Sequence, residues 1–148
     1  MSLVVVGSIA FDAIKSPFGE RERALGGSAV HFSLASSFLA PTRLVGPVGD
    51  DFGEDEYAVL HDRGVITDDV EHVPGGKTFF WHGEYHFDLN SRTTHDTQLN
   101  VFETFQPKLS PPSLEPPPGG AVVKVEAAAL NFPDLLSIAG QYQADAAG

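Results

Sequence analysis

Residues 25–39 read LGGSAVHFSLASSFL. Two adjacent glycines, Gly26 and Gly27, lack the Cβ atoms that hold a ligand away from the backbone, and both can take positive φ, so the pair suits a tight turn presenting N–H groups. Ser28 follows at an N-cap position. From Val30 onward Phe32, Leu34, Ala35, Phe38 and Leu39 recur at helical spacing, which predicts a helix over about 28–39 with its positive end directed back at the glycines. Such an end favours an electron-rich group such as a sugar hydroxyl, a carboxylate or a phosphate. A glycine turn ahead of a core helix accounts for the same residues with no ligand at all, and the rest of the chain has to decide between the two.

Upstream, Leu3 to Val6 is an unbroken aliphatic run ending in Gly7, the pattern of a strand buried on both faces of a parallel or mixed sheet. Asp12 lies just past it. Ligands of open α/β sheets gather at the carboxyl ends of strands, where a carboxylate accepts hydrogen bonds from hydroxyls, although a turn-capping aspartate reads the same way. Residues 13–24 carry Pro17, Gly19 and a charged run, and predict a solvent-facing excursion that returns to the glycine pair. Downstream, Pro41 ends the helix and Thr42 to Val45 predicts a second strand. Strand, helix, strand in this order is a βαβ unit with parallel strands. The acidic run Asp50 to Glu56 predicts the first turn of a helix over about 53–63, stopped by Gly64, because carboxylates there are stabilised by the helix dipole.

The sequence changes character over residues 71–102. FFWHGEYHFDL has the aromatic density of strands, and Gly83–Glu84 suits a two-residue hairpin loop, in which His82 pairs with Tyr85, Trp81 with His86 and Phe80 with Phe87. In that register His82 and His86 point to opposite faces, so the stripe of His82, Glu84, His86 and Asp88 does not converge on one metal ion. Aromatics on both faces predict packing against a second body: a partner subunit, giving a homodimer through this hairpin, or the main domain, giving a β lid over a site.

Composition narrows the function classes. With 148 residues and 42% hydrophobic content the chain can bury one core, and a net charge of −11 repels phosphate backbones and anionic lipid, which points to a small ligand or a protein and away from nucleic acid or a membrane surface. It contains no cysteine, hence no disulfide framework and no thiolate metal site. The amino terminus lacks the pattern of a signal peptide, so the expected compartment is the cytoplasm.

Taken in order, VVVGSIAFD, GGSAVHFSLA, TRLVGPVGDDFG and GKTFFWHGEYHFDLNSRTTHDTQLNVFETFQP resemble the N-terminal portion of ribokinase-like, PfkB-type carbohydrate and nucleoside kinases over about residues 1–110. The resemblance implies an α/β, Rossmann-like sheet with a small β lid over about 71–102, and transfer of the ATP γ-phosphoryl group to a hydroxyl of a sugar or nucleoside with Mg²⁺. On the same resemblance Asp12 matches a hydroxyl-binding aspartate, Gly26 and Gly27 match a substrate-cradling glycine pair, and Asn90 and Arg92 fall where the lid covers substrate. His31 stands where many members carry asparagine, and Ala10 replaces a polar residue two before the aspartate. The segment GxGD, which in that family supplies the base, the anion hole and the ATP site, does not occur in these residues. The expectation is therefore an incomplete fold: the substrate-binding and lid half of a kinase, inactive alone, with no catalytic residue or metal ligand of its own. A non-catalytic polyol-binding or dimerisation module is the alternative.

Beyond it, residues 111–120 are proline-rich and predict a stiff linker. Residues 121–143, AVVKVEAAALNFPDLLSIAGQYQ, resemble the start of the GroES-like domain of medium-chain, zinc-independent, NADPH-dependent quinone oxidoreductases, so residues 121–148 read as a short reductase-like tail and the chain as a fusion of two fragments. Within this tail Ala121 to Ala129 predicts a strand, Pro133 to Ile138 a helical turn, and Asn131 and Asp134 capping residues.

Overall fold

Two sheets share one core. In a computed structural model that describes residues 3–114 and Gly119, strands β1 (Leu3–Val6), β4 (Thr42–Val48) and β5 (Ile66–His72) form a parallel sheet in the order β1-β4-β5. Strands β2 (Ala10–Ser16), β3 (Gly19–Gly26), β6 (Phe79–Tyr85) and β7 (Arg92–Gln98) form a mixed sheet in the order β3-β2-β6-β7. Helices α1 (Ser28–Ser36) and α2 (Glu54–His61), a 3₁₀ turn at Asn100–Phe102 and a short α3 (Pro111–Leu114) complete the described chain. The chain divides after Pro118. The strand, helical turn and capping residues expected over 121–138 lie outside the described residues.

In the first sheet β1 and β4 form as the aliphatic runs predict, and β5, which no such run marks, completes it. β4 is the central strand and is buried almost throughout; Leu44, Val45 and Val48 have no exposed surface. Burying each such side chain contributes roughly 1.5–3 kcal/mol. Pro47 is tolerated in it because β1 pairs with β4 only as far as Val6↔Val45, so at Pro47 the strand has a ladder partner on the β5 side alone. β1, expected to be buried on both faces, instead lies at the edge of the described sheet, and Val6 is 47% exposed.

The predicted helices exist, and Val30 and Leu34 of the expected α1 stripe do face the core, but the rest of the stripe does not. Ala29, Val30, Ser33 and Ser36 are buried, whereas Phe32, Phe38 and Leu39 are 57%, 73% and 88% exposed. Small side chains let the helix approach β1 and β4 closely, and the helix stops at Ser36, short of the bulky pair. Phe38 is covered by the guanidinium of Arg63, 3.6 Å above its ring. Helix α2 begins as expected: the Glu56 carboxylate accepts the Gly53 N–H (2.8 Å), Glu54, Asp55 and Glu56 occupy its first turn, and Gly64 follows at φ 68°. Asp50 and Asp51 lie outside that turn, and their carboxylates instead accept backbone N–H groups of the segment that enters β6, from Gly75 and Thr78.

Residues 13–24 are largely solvent-facing and return to the glycine pair as expected, but as strands. They form most of the β2–β3 hairpin, which is inserted between β1 and α1 and supplies half of the second sheet. The larger correction concerns Gly83–Glu84: both lie inside β6, and the chain reverses at residues 86–91. β6 pairs antiparallel with β7 (Phe80↔Gln98, Trp81↔Thr97, Tyr85↔Arg92) and parallel with β2 (Phe11↔Phe80, Asp12↔Trp81). Gly83 serves packing instead of turning, because a Cβ there would run into the Trp81 indole, and the β6–β7 ladder bulges between His82 and Gly83. The reversal is held by Asp88, which accepts hydrogen bonds from the N–H groups of Asn90 (3.1 Å) and Ser91 (2.9 Å) and from the Ser91 hydroxyl. These bonds pull the Asp88 pKa down to about 2. With this register gone, the opposite-face argument about His82 and His86 no longer applies; His82 instead stacks near His95 (5.0 Å between centroids), whose Nε2 lies 3.2 Å from Glu84.

Candidate functional site

The two sheets meet where residues 7–12 leave β1 and the glycine pair enters α1. Gly27 occupies the N-cap position at φ 98°, and a Cβ on it would collide with the Ser8 carbonyl. The cap expected of Ser28 is supplied by Ser8. Its Oγ accepts the Ser28 N–H at 3.0 Å and its carbonyl accepts the Ala29 N–H at 3.1 Å. Two of the helix's first amides are thereby satisfied inside the protein, so the helix end is less open to an anion than the sequence implies.

Gly26 closes β3 opposite Ala10, and its missing side chain has a different purpose: the space a Cβ would take is filled by the Asp12 carboxylate. Asp12 is a strand residue of β2, half-buried, and not a turn residue. Burial raises its pKa above the usual 3.8, while the nearby His31 pulls it the other way. His31 is exposed on α1, one turn after Gly27, whose carbonyl accepts its N–H at 3.1 Å. Asp12, Gly26, Gly27 and His31 therefore form one cluster. A carboxylate at the amino end of α1 already supplies the negative charge that this end favours, so the cluster is suited to neutral hydroxyl donors more than to a phosphate.

Asn90 and Arg92 are elsewhere. Both are exposed at the far end of the β6–β7 hairpin, and Arg92 pairs with Tyr85, four residues and roughly 13 Å along the sheet from the level of Asp12. Trp81 is aligned with Asp12 across the parallel β2–β6 pair and lies on the same face of the sheet, with its indole turned over Gly83 while the Asp12 carboxylate lies over Gly26. The sequence signal was present as a lone tryptophan two residues before a strand glycine, but only the parallel pairing brings it into line with Asp12.

The opposite face of the same sheet carries a cleft of about 330 Å³ lined by residues that include Phe11, Phe80, Arg23, Asp51, Lys77 and Thr78. Much of its polar lining is already engaged. The Asp51 Oδ1 accepts both the N–H (2.8 Å) and the hydroxyl (2.7 Å) of buried Thr78, and Arg23 lies 3.8 Å over the Phe11 ring while donating to the Asp51 carbonyl (2.5 Å) and pairing with Glu56 (3.4 Å). These contacts fasten the second sheet to the loop after β4, and the cleft is the seam of that joint.

No family model and no curated protein matches this sequence. Solved structures do. A nucleoside kinase of Burkholderia thailandensis, in complex with inosine, superposes with a TM-score of 0.58 at 20% identity, covering 68% of this chain and 37% of that one. A ribokinase of Cryptococcus neoformans var. grubii, in complex with ADP, gives 0.56 at 20% identity, covering 73% and 37%. A nucleoside kinase of Methanocaldococcus jannaschii, an archaeal member of the ribokinase family, gives 0.55 at 17% identity, covering 69% and 38%. The fold is thus the ribokinase-like α/β fold, and this chain spans little more than a third of the length of those proteins. The reductase-like reading of residues 121–143 gains no support from the comparisons.

Proposed function

We propose that the described domain is the acceptor-binding and lid half of an ATP-dependent sugar or nucleoside kinase, and that it holds a hydroxylated small molecule against the cluster of Asp12, Gly26, Gly27 and His31. The observation that carries this reading is the Asp12 carboxylate pressed on Gly26 at the amino end of α1, where the two sheets join. A carboxylate has four lone-pair positions, so with one side against Gly26 it can still accept two hydroxyls of a diol. The mixed sheet stands over this point as a cover, and its closure would exclude water from the bound hydroxyls.

Among the described residues no three or more His, Asp or Glu side chains cluster to hold a metal ion, and Arg23 in the seam is committed to protein contacts, so the proposed role of this chain is recognition of the acceptor. Calorimetry with a panel of pentoses, hexoses and nucleosides tests it. Binding to the wild-type chain that disappears in Asp12→Ala supports the reading, and binding that survives the substitution overturns it.

A further inference from the structure

The cleft at the sheet joint holds a set of groups that the fold itself leaves unused. Phe11, Phe80 and Gln98 are neighbours in one row across β2, β6 and β7 and share a face of the mixed sheet. The guanidinium of Arg23 covers the Phe11 ring at 3.8 Å and finds its acceptors in the Asp51 carbonyl and the Glu56 carboxylate. Phe80 is half-buried, and among the described residues no ring or cation covers it. Around these rings the unused groups are mostly acceptors. Thr78 donates only to the Asp51 Oδ1, the Gln98 amide donates to Asp96, and the Asn100 amide donates to the Thr78 carbonyl. The Asp51 Oδ2, the Gln98 Oε1, the Asn100 Oδ1 and the Glu22 carboxylate are left without a donor among the described residues.

We infer that this cleft binds a small organic cation, an alkylguanidinium or alkylammonium, which lies over Phe80 as Arg23 lies over Phe11 and donates to the free oxygens around it. A cation over an aromatic face is attracted by the ring quadrupole, more strongly where water is displaced. At about 330 Å³ the cleft stands at the small end of ligand cavities, roughly 300–1,000 Å³, and admits a small molecule. Charge selects the sign of the ligand. The carboxylates of Glu22 and Asp51, with Glu56 behind Arg23, outnumber the two cations Arg23 and Lys77, and the chain's net charge of −11 draws cations toward it. Lys77 is exposed and has no partner among the described residues, so it is the like charge that such a ligand meets. The inference is independent of the reading of Asp12, which follows Phe11 in β2 and therefore lies on the other face of the sheet.

The full chain is titrated by calorimetry with agmatine, an alkylguanidinium that also carries an ammonium, and in parallel with benzoate, an aromatic anion. Agmatine is expected to bind and benzoate is not. Glu22→Gln and Phe80→Leu should each weaken agmatine by about 2- to 30-fold, through the lost charge and the lost ring. Lys77→Met should tighten it by up to about 5-fold, because a like charge leaves the lining. A ligand held through the Lys77 ammonium would respond in the opposite direction. Should Phe80→Leu fail to fold, Glu22→Gln and Lys77→Met, both at exposed positions, carry the test. The inference is overturned by an absence of agmatine binding, by agmatine affinity that is unchanged in Glu22→Gln or weakened in Lys77→Met, or by benzoate binding that disappears in Lys77→Met.

Discussion

At the scale of single residues, the candidate site depends on two glycines that look equivalent in the sequence and do different jobs. Gly26 makes room for the Asp12 carboxylate, whereas Gly27 combines a φ of 98° with an approach to the Ser8 carbonyl. Gly26→Ala is expected to destabilise the chain by about 1–3 kcal/mol in urea unfolding, and most of that loss should vanish in an Asp12→Ala background, because the colliding group is gone. Gly27→Ala should be destabilising in both backgrounds, since its obstacle is backbone. A cycle showing no coupling between positions 12 and 26 would contradict the packing described. Asp12 also sets a pH dependence. Burial raises its pKa from 3.8, so the folded chain holds that proton more tightly than the unfolded one; the unfavourable contribution is absent below pH 3.8 and complete above the raised value. Stability contributed by this group therefore falls as pH rises through that window. Asp12→Asn should raise the thermal midpoint at neutral pH and lose the advantage toward pH 3.8, and a midpoint lowered at both ends would show that the carboxylate is stabilising after all.

At the scale of elements, the strands and helices around the glycine pair were legible because their signals are local: aliphatic runs, a glycine ahead of each helix, acidic residues in a first turn. What was not legible is which face an element buries. The large apolar residues of α1 suggested Phe32, Phe38 and Leu39 as its core stripe, yet the sheet admits a small-residue face and leaves those three outside. Val30→Ala should therefore destabilise the chain by about 1–3 kcal/mol and Leu39→Ser by less than about 0.5 kcal/mol, measured by denaturant unfolding. Equal losses at the two sites would mean that Leu39 is covered in solution. The misplaced hairpin has a similar origin. Glycine in an aromatic strand signals a turn or a close approach with equal force, and here the approaching group is Trp81, one residue pair away on the same strand. The true reversal was marked by the Asp88–Ser91 turn, whose polar residues satisfy one another locally.

At the scale of the whole molecule, a joint between a parallel sheet and a mixed sheet brings Asp12 and the glycine pair together at the amino end of α1. Asp51 and Thr78 fasten the two sheets together. The 148 residues contain no GxGD segment, the expected source of the base and anion hole for phosphoryl transfer. The purified chain with Mg²⁺, ATP and a panel of sugars and nucleosides is expected to form no sugar phosphate above a buffer control. Turnover that disappears with Asp12→Ala would instead indicate a site completed by a second copy. The sequence by itself determined β1, β4 and the two helices beside them, the likeness of the pattern to the ribokinase-like fold and the nearness of Asp12 to the glycine pair, because each is encoded in periodicity or in motifs close along the chain. Only the tertiary structure decided that Asp12 is a half-buried strand residue resting on Gly26, that Asn90 and Arg92 stand apart from it, and that Trp81 is aligned with it. The first follows from the register of the β2–β3 hairpin, and the other two from the parallel pairing of β2 with β6, strands more than sixty residues apart, whose register no local pattern fixes.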